Sequence, residues 1–172
     1  IQMITAYAAV VNGGKLVTPY VVSKVVDNSG NVIKTVEPNI KRQVISEETS
    51  KIMRQTLESV VTTNGGSNAY IQGYHIGGKS GTSQKQDENI KQNREDLYVS
   101  SYVGFAPADD PEIIMLVMVD EPSKGEYYGS IVAVPVVAAV FKEALPYLGY
   151  IPEYTAEELA NMEAYMYTMS SR

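Results

Sequence analysis

Apolar residues recur at helical spacing at the start of the chain. Ile4, Tyr7, Ala8 and Val11 fall on one face, and Asn12-Gly13-Gly14 follows as a left-handed stop. The helix has an end but no beginning: nothing caps it and no initiator Met precedes it, which predicts that residue 1 was cut from within a longer protein. Tyr20 to Val26 and Val32 to Val36 are β-branched runs, and Asp27-Asn28-Ser29-Gly30-Asn31 between them closes a hairpin. Ser46 caps a second helix, with Glu47 and Glu48 at the positive end of its dipole. Ile52, Met53, Leu57, Val60 and Val61 form its apolar stripe, and Asn64-Gly65-Gly66 is its expected end.

Tyr70 to Ser83 reads as extended in spite of Gly73, Gly77, Gly78 and Gly81, a combination that marks an edge approached by another molecule. Gln84 to Asp96 holds a single aliphatic residue, Ile90, and reads as a solvated loop. Leu97 to Ala106 and Glu112 to Val119 are strands joined through Pro107-Ala108-Asp109-Asp110-Pro111, a turn short enough to make them antiparallel. Together they predict a three-strand meander with the Lys79 strand first. Ile131 to Leu148 is apolar almost all round, as in a helix buried across a sheet, with Pro135 in its first turns or at a kink. Thr155-Ala156-Glu157-Glu158 is a capping box, and Leu159, Met162, Tyr165 (or Met166) and Met169 give a last amphipathic helix. The fold class is α/β in the α+β sense, an antiparallel sheet flanked by helices.

Composition narrows the function classes. With 172 residues, 44% of them hydrophobic, the chain is large enough for one core. Twenty acidic against fourteen basic residues give a net charge of -6, and no Lys/Arg cluster is present to neutralise a row of phosphates, so nucleic acid is not an expected partner. With no cysteine and one histidine, His75, neither a disulfide nor a thiolate or imidazole metal site is expected, and no cofactor is implied. The longest apolar stretch, Ile131 to Val140, is too short to span a bilayer and no signal peptide opens the chain, so any membrane anchor would lie outside these residues.

The chemistry concentrates in Gly77-Gly78-Lys79-Ser80-Gly81-Thr82-Ser83-Gln84. A lysine ammonium beside two hydroxyls fixes a carboxylate, and an exposed strand edge supplies backbone N–H donors for an acyl-transfer oxyanion. Gly81 leaves room for a substrate backbone. No lysine is preceded three residues earlier by serine, so the chain contains no Ser-x-x-Lys nucleophile. Taken alone, Lys-Ser-Gly-Thr is a short signal that a glycine-rich edge strand with a solvated lysine also carries.

Ordered blocks extend that signal. Gln2-Met3-Ile4-Thr5-Ala6-Tyr7-Ala8-Ala9 precedes Asn12-Gly13-Gly14-Lys15 and Pro19, then comes Gly78 to Gln84. Tyr102-Val103-Gly104-Phe105-Ala106-Pro107 and Val117-Met118-Val119-Asp120-Glu121-Pro122 follow. In this order and spacing the chain, from Ile1 to about Tyr150, resembles the C-terminal part of the transpeptidase domain of class B penicillin-binding proteins. The resemblance implies a serine D,D-transpeptidase that cross-links peptidoglycan stem peptides ending in D-Ala-D-Ala and is acylated by β-lactams. Lys79 would orient the terminal carboxylate, the Ser80 and Thr82 hydroxyls would bind it, the Thr82 N–H would be one oxyanion donor, and Gly81 and Gln84 would line the same edge. The nucleophile would lie in the missing N-terminal half of the domain, which would be this segment's partner. The segment alone is expected to be inactive, without metal or cofactor, and its parent to sit at the extracytoplasmic face of the membrane. The family's Ser-x-Asn element has one nominal match, Ser29-Gly30-Asn31, which reads as a hairpin turn.

Residues 151–172, beginning Ile151-Pro152-Glu153-Tyr154, resemble the tail that follows the domain in sporulation- and division-type members, giving 1–150 as domain and 151–172 as tail. A β-lactamase or β-lactam sensor shares the Lys-Ser/Thr-Gly strand, and a non-catalytic scaffold is the third class. Elsewhere, His75 reads as a structural or surface residue. Asp109-Asp110 and Asp120-Glu121 read as turn acids. Tyr127-Tyr128 either rims a cleft or packs, and Met162, Met166 and Met169 cover apolar surface. Open sheet edges and the uncapped first helix predict unburied apolar surface.

Overall fold

The computed structural model describes residues 1–63 and 68–170, which cluster into two units, Ile1–Arg54 and Gln55–Arg172. In the first, α1 (Gln2–Val11) ends at Asn12, and Gly13 and Gly14 follow with φ of +84° and +86°. The glycine at 14 is obligatory twice over, because a Cβ there would stand 2.0 Å from the Ile45 carbonyl oxygen. The last carbonyls of α1 are taken up by side chains of α2 (Glu47–Thr62): the Ser50 hydroxyl donates to Val10 O at 2.6 Å, and Arg54 Nη1 to Val11 O at 3.0 Å. Ser50 also accepts from the Gly13 N–H. As expected, Ser46 caps α2, its Oγ accepting from Thr49 N–H at 3.1 Å.

Two strands escape the sequence pattern. β1 (Lys15–Thr18) pairs antiparallel with β4 (Asn39–Gln43), and the expected hairpin sits between them as β2 (Lys24–Val26) and β3 (Val32–Thr35). The Asp27 carboxylate builds the hairpin turn by accepting from Ser29 and Asn31 N–H. Its first strand is shorter than the β-branched run, with Tyr20 to Ser23 left out of the sheet.

In the second unit, β5 (Gly77–Gln84), β6 (Tyr98–Ala106) and β7 (Ile113–Asp120) form the expected meander in spatial order β5-β6-β7. The extended segment is shorter than the sequence implies: residues before Gly77 make turns, with an isolated bridge between Ile71 and Tyr74. The presumed solvated loop is wrong for Gln86–Gln92, which is helix α3. Its anchor is Asn89, buried, whose side chain accepts from Leu97 N–H at 3.0 Å and donates to Leu97 O.

The long apolar helix is broken in two. α4 (Gly129–Val132) and α5 (Val134–Tyr147) meet at Ala133, and Pro135 occupies the first turn of α5, where its missing N–H costs nothing. The stretch Gly129–Tyr147 is long and apolar enough to cross a membrane, contrary to the estimate from Ile131 to Val140 alone. Its buried residues Val134, Val137, Phe141 and Leu145 nevertheless pack with Tyr102 and Ala106 of β6 as the core. Burial of α2 is also narrower than its stripe: Val61 is core, whereas Ile52, Met53 and Val60 are exposed, and the expected stop at Asn64-Gly65-Gly66 lies outside the described residues. α6 (Ala156–Ser170) follows the capping box, Glu158 N–H donating to Thr155 Oγ1. Apolar surface is exposed as predicted, at Val21 and Ile33 in the first unit and at Tyr147 and Ile151 in the second.

Candidate active site on the β5 edge

Side chains alternate across a strand, so Lys79, Gly81 and Ser83 share one face of β5 and Gly78, Ser80, Thr82 and Gln84 the other. Backbone groups alternate as well. The Lys85 N–H donates to Leu97 O at 2.8 Å, continuing the Ser83↔Val99 and Gly81↔Ser101 pairs of the ladder. In an antiparallel pair this phase turns the amides of Lys79, Gly81 and Ser83 toward β6, and those of Gly78, Ser80 and Thr82 away from it. β5 is the outer strand, and no strand among the described residues pairs with that far side. The Thr82 N–H therefore faces an open edge. Lys79 reaches the same edge, its exposed Nζ donating to the Ser80 carbonyl at 2.8 Å.

The Thr82 hydroxyl is held from the opposite side. Gly129 N–H, at the start of α4, donates to Thr82 Oγ1 at 3.1 Å. One lone pair is thus occupied and the hydroxyl proton is left to point elsewhere. Gly129 lies so close to the sheet that a Cβ would stand 2.3 Å from Ser101 O and 2.4 Å from Gly81 O. The loop before it is pinned by a hydrogen bond from the buried Ser100 hydroxyl to Tyr127 O and by Tyr127 stacked on Tyr98, ring centroids 4.1 Å apart. Tyr128 tilts against Tyr127 at 4.6 Å and is exposed. Neither Gly129 nor Ser100 was visible as a site residue in the sequence; the only signal was Tyr-Tyr-Gly ahead of the apolar run.

Not every expectation about this strand holds. The paired glycines at its start are explained by packing: a Cβ at Gly77 would enter the Phe105 ring at 2.1 Å, and one at Gly78 would meet the Tyr102 hydroxyl at 2.0 Å. Gly81 is crowded by Ser101 Oγ at 2.8 Å from its missing Cβ. The Gln84 carboxamide is exposed but not free, since its Nε2 donates to Glu95 O at 2.9 Å. Asp120 and Glu121 are more than turn acids: both pair with Lys85 Nζ, at 3.0 and 2.7 Å, and hold its pKa up.

A second polar cluster lies away from the edge. His75 Nδ1 meets Glu58 Oε1 at 2.6 Å, a contact that raises the imidazole pKa against the opposing effect of burial. No acid stands near His75 along the chain; the fold brings one from α2. Nearby, Glu158 ties a turn to the chain's end, accepting from Tyr70 OH, from Gly73 N–H at 3.0 Å and, through Oε2, from Thr155 N–H at 2.7 Å. Burial opposes ionisation of Glu158, but these donors outweigh it and bring its pKa down to about 2, while Tyr70 is pushed up to about 12. The described residues contain no group of three or more acids or histidines placed to hold a metal.

Comparison with known proteins agrees with this geometry. Residues 1–142 match the family model described as penicillin binding protein transpeptidase domain. Stage V sporulation protein D of Bacillus subtilis is 44% identical over 155 residues, covering 88% of this chain and 23% of that protein. The probable peptidoglycan D,D-transpeptidase PbpC of Pseudomonas aeruginosa is 31% identical, with 88% of this chain and 25% of that protein covered. Among solved structures, the transpeptidase domain of Burkholderia pseudomallei penicillin-binding protein 3 superposes with a TM-score of 0.68 at 34% identity, over 90% of this chain and 44% of that one. The chain spans about a quarter of the length of the curated relatives it matches. With a matching family model over most of its length and the Lys-Ser-Gly-Thr strand at an open sheet edge, the chain belongs to the penicillin-binding protein transpeptidase family.

Proposed function

We propose that these residues form the substrate-gripping part of a serine D,D-transpeptidase that cross-links peptidoglycan stem peptides. The observation that carries the reading is the β5 edge: an unpaired Thr82 amide, a Thr82 hydroxyl fixed by Gly129, and the Lys79 ammonium at the same edge. In the proposed reaction a serine outside these residues loses its proton to a neighbouring base and attacks the penultimate D-alanyl carbonyl. Negative charge develops on that oxygen, where the Thr82 N–H stabilises it. Lys79 and the Ser80 and Thr82 hydroxyls hold the terminal carboxylate. The C–N bond breaks, the leaving D-alanine amine takes up a proton, and the acyl-enzyme is resolved by an amine of a second stem. A β-lactam ring carbonyl takes the place of the scissile amide. Residues 1–150 would be domain and 151–172 its tail, with the parent anchored by another segment at the extracytoplasmic membrane face.

Labelling with a fluorescent penicillin tests this. The full-length parent is expected to form a stable adduct, its Lys79→Ala variant to label at least tenfold more slowly, and the 172-residue chain not to label. A parent that labels equally well without Lys79, or a labelled band on the short chain, overturns the assignment.

A further inference from the structure

The helix that replaces the expected loop makes a wall at the end of β5. Between α3 and the strand lies an open cleft of about 730 Å³, with Gln84, Gln86, Ile90, Asn93 and Glu95 on its lining. Its walls are fixed from several sides. Gln84 bonds Glu95, buried Asn89 bonds both backbone groups of Leu97, and Lys85 is tied to Asp120 and Glu121. Arg94, also on the lining, is neutralised by a two-pronged pair with Asp96, at 2.8 Å on both bonds. The Gln86 and Asn93 side chains are exposed and have no protein partner among the described residues. The cleft thus offers free carboxamides on a rigid frame, beside the exposed aliphatic surface of Ile90.

Direction along the edge decides what reaches it. With the terminal carboxylate toward Lys79 and Ser80, and the scissile carbonyl at the Thr82 N–H, the substrate runs antiparallel to β5. Its residues N-terminal to the scissile bond then pass Gln84 and move on toward α3. At about 3.3 Å per extended residue, Gln84, the last residue of β5, lies about two residues beyond Thr82, and Gln86, which opens α3, lies at most about two residues farther. We propose that the β5–α3 cleft is a specificity subsite for the amide groups of the stem peptide two to four residues upstream of the scissile bond. Gln86 and Asn93 exchange hydrogen bonds with those amides, and Ile90 covers the intervening apolar surface. The proposal rests on the transpeptidase reading above.

The test uses the full-length parent and two kinds of acyl donor: 6-aminopenicillanic acid, which reaches only the Lys79 to Thr82 edge, and peptide thioesters with no, two or four residues upstream of the reacting carbonyl. The wild type is expected to gain at least tenfold in acylation rate per unit concentration from the shortest to the longest thioester. In Gln86→Ala/Asn93→Gly that gain falls to about twofold or less, whereas the ratio of 6-aminopenicillanic acid to shortest-thioester rates is retained. Glycine is chosen at 93 because Asn93 has φ of +52°, and Gln86→Ala alone shows the same direction if the double variant does not fold. An equal length gain in wild type and variants, or no length gain in the wild type, overturns the subsite alone. Failure of the parent to be acylated by any donor overturns the transpeptidase reading and the subsite together.

Discussion

Replacing Gly129 by alanine is the sharpest probe of how the loop and the substrate strand depend on one another. The added Cβ would lie 2.3 Å from Ser101 O, 2.4 Å from Gly81 O and 3.1 Å from Ser101 N, and all three atoms belong to the backbone of a paired ladder. No rotamer relieves such a clash, so the start of α4 must back away by about 1 Å to reach ordinary contact. That movement also lengthens the 3.1 Å Gly129 N–H to Thr82 Oγ1 bond past hydrogen-bonding range. Overpacking of this kind costs about 1–3 kcal/mol. The lost hydrogen bond adds about 1 kcal/mol. The shift per kcal/mol shrinks as a protein grows, from about 2–4 °C at 150–250 residues, so in a parent about four times as long as this chain a combined cost of about 3 kcal/mol lowers the melting temperature by about 3 °C. The full-length parent, melted by circular dichroism and labelled with penicillin, reports stability and site together. Gly125→Ala is the control: none of the described residues lies within 4 Å of its added Cβ, so only the backbone strain at φ of +84° remains. A Gly129→Ala protein that melts within about 1 °C of the wild type and labels at the same rate refutes the reasoning.

Removing the buried Tyr102 hydroxyl, which has no hydrogen-bond partner among the described residues and whose pKa burial pushes up to about 12, is expected to be neutral or to stabilise by about 1 kcal/mol. A loss above that in urea unfolding of Tyr102→Phe would mean the hydroxyl is satisfied. Glu158 has its folded pKa below the unfolded one, so its contribution is present above pH 4.5 and disappears as pH falls toward 2. Tyr70 sees the same bond from the other end, with a contribution lost as pH rises from 10 toward 12, so the two shifts are not added. Solvent screening at this partly exposed pair reduces the acid-side contribution to about 1 kcal/mol. Glu158→Gln should flatten the acid limb of the stability profile, and an unchanged limb contradicts the assignment. His75 has a raised folded pKa, so its small contribution is full below pH 6.5 and lost as pH climbs through the folded value. An NMR titration should show the imidazole pKa returning toward 6.5 in Glu58→Gln; no movement would exclude the Glu58 contact.

Strong local signals carried the part of the fold legible from residue order. Apolar runs on either side of the turn Pro107-Ala108-Asp109-Asp110-Pro111 marked β6 and β7, Ser46 and Thr155 marked helix starts, and Lys79-Ser80-Gly81-Thr82 marked the edge with the carboxylate-binding chemistry. Short or polar elements stayed hidden because their stability comes from partners. β4 reads Asn-Ile-Lys-Arg-Gln and is a strand only through its ladder with β1, and α3 has one aliphatic residue and is held by a single buried asparagine. Tertiary structure alone decided which amides face outward, since the phase of an antiparallel ladder depends on the bond from Lys85 to Leu97 and not on residue type. It alone also brought Gly129, 47 positions along the chain, to the Thr82 hydroxyl, because contact across a sheet is fixed by the path of the folded backbone.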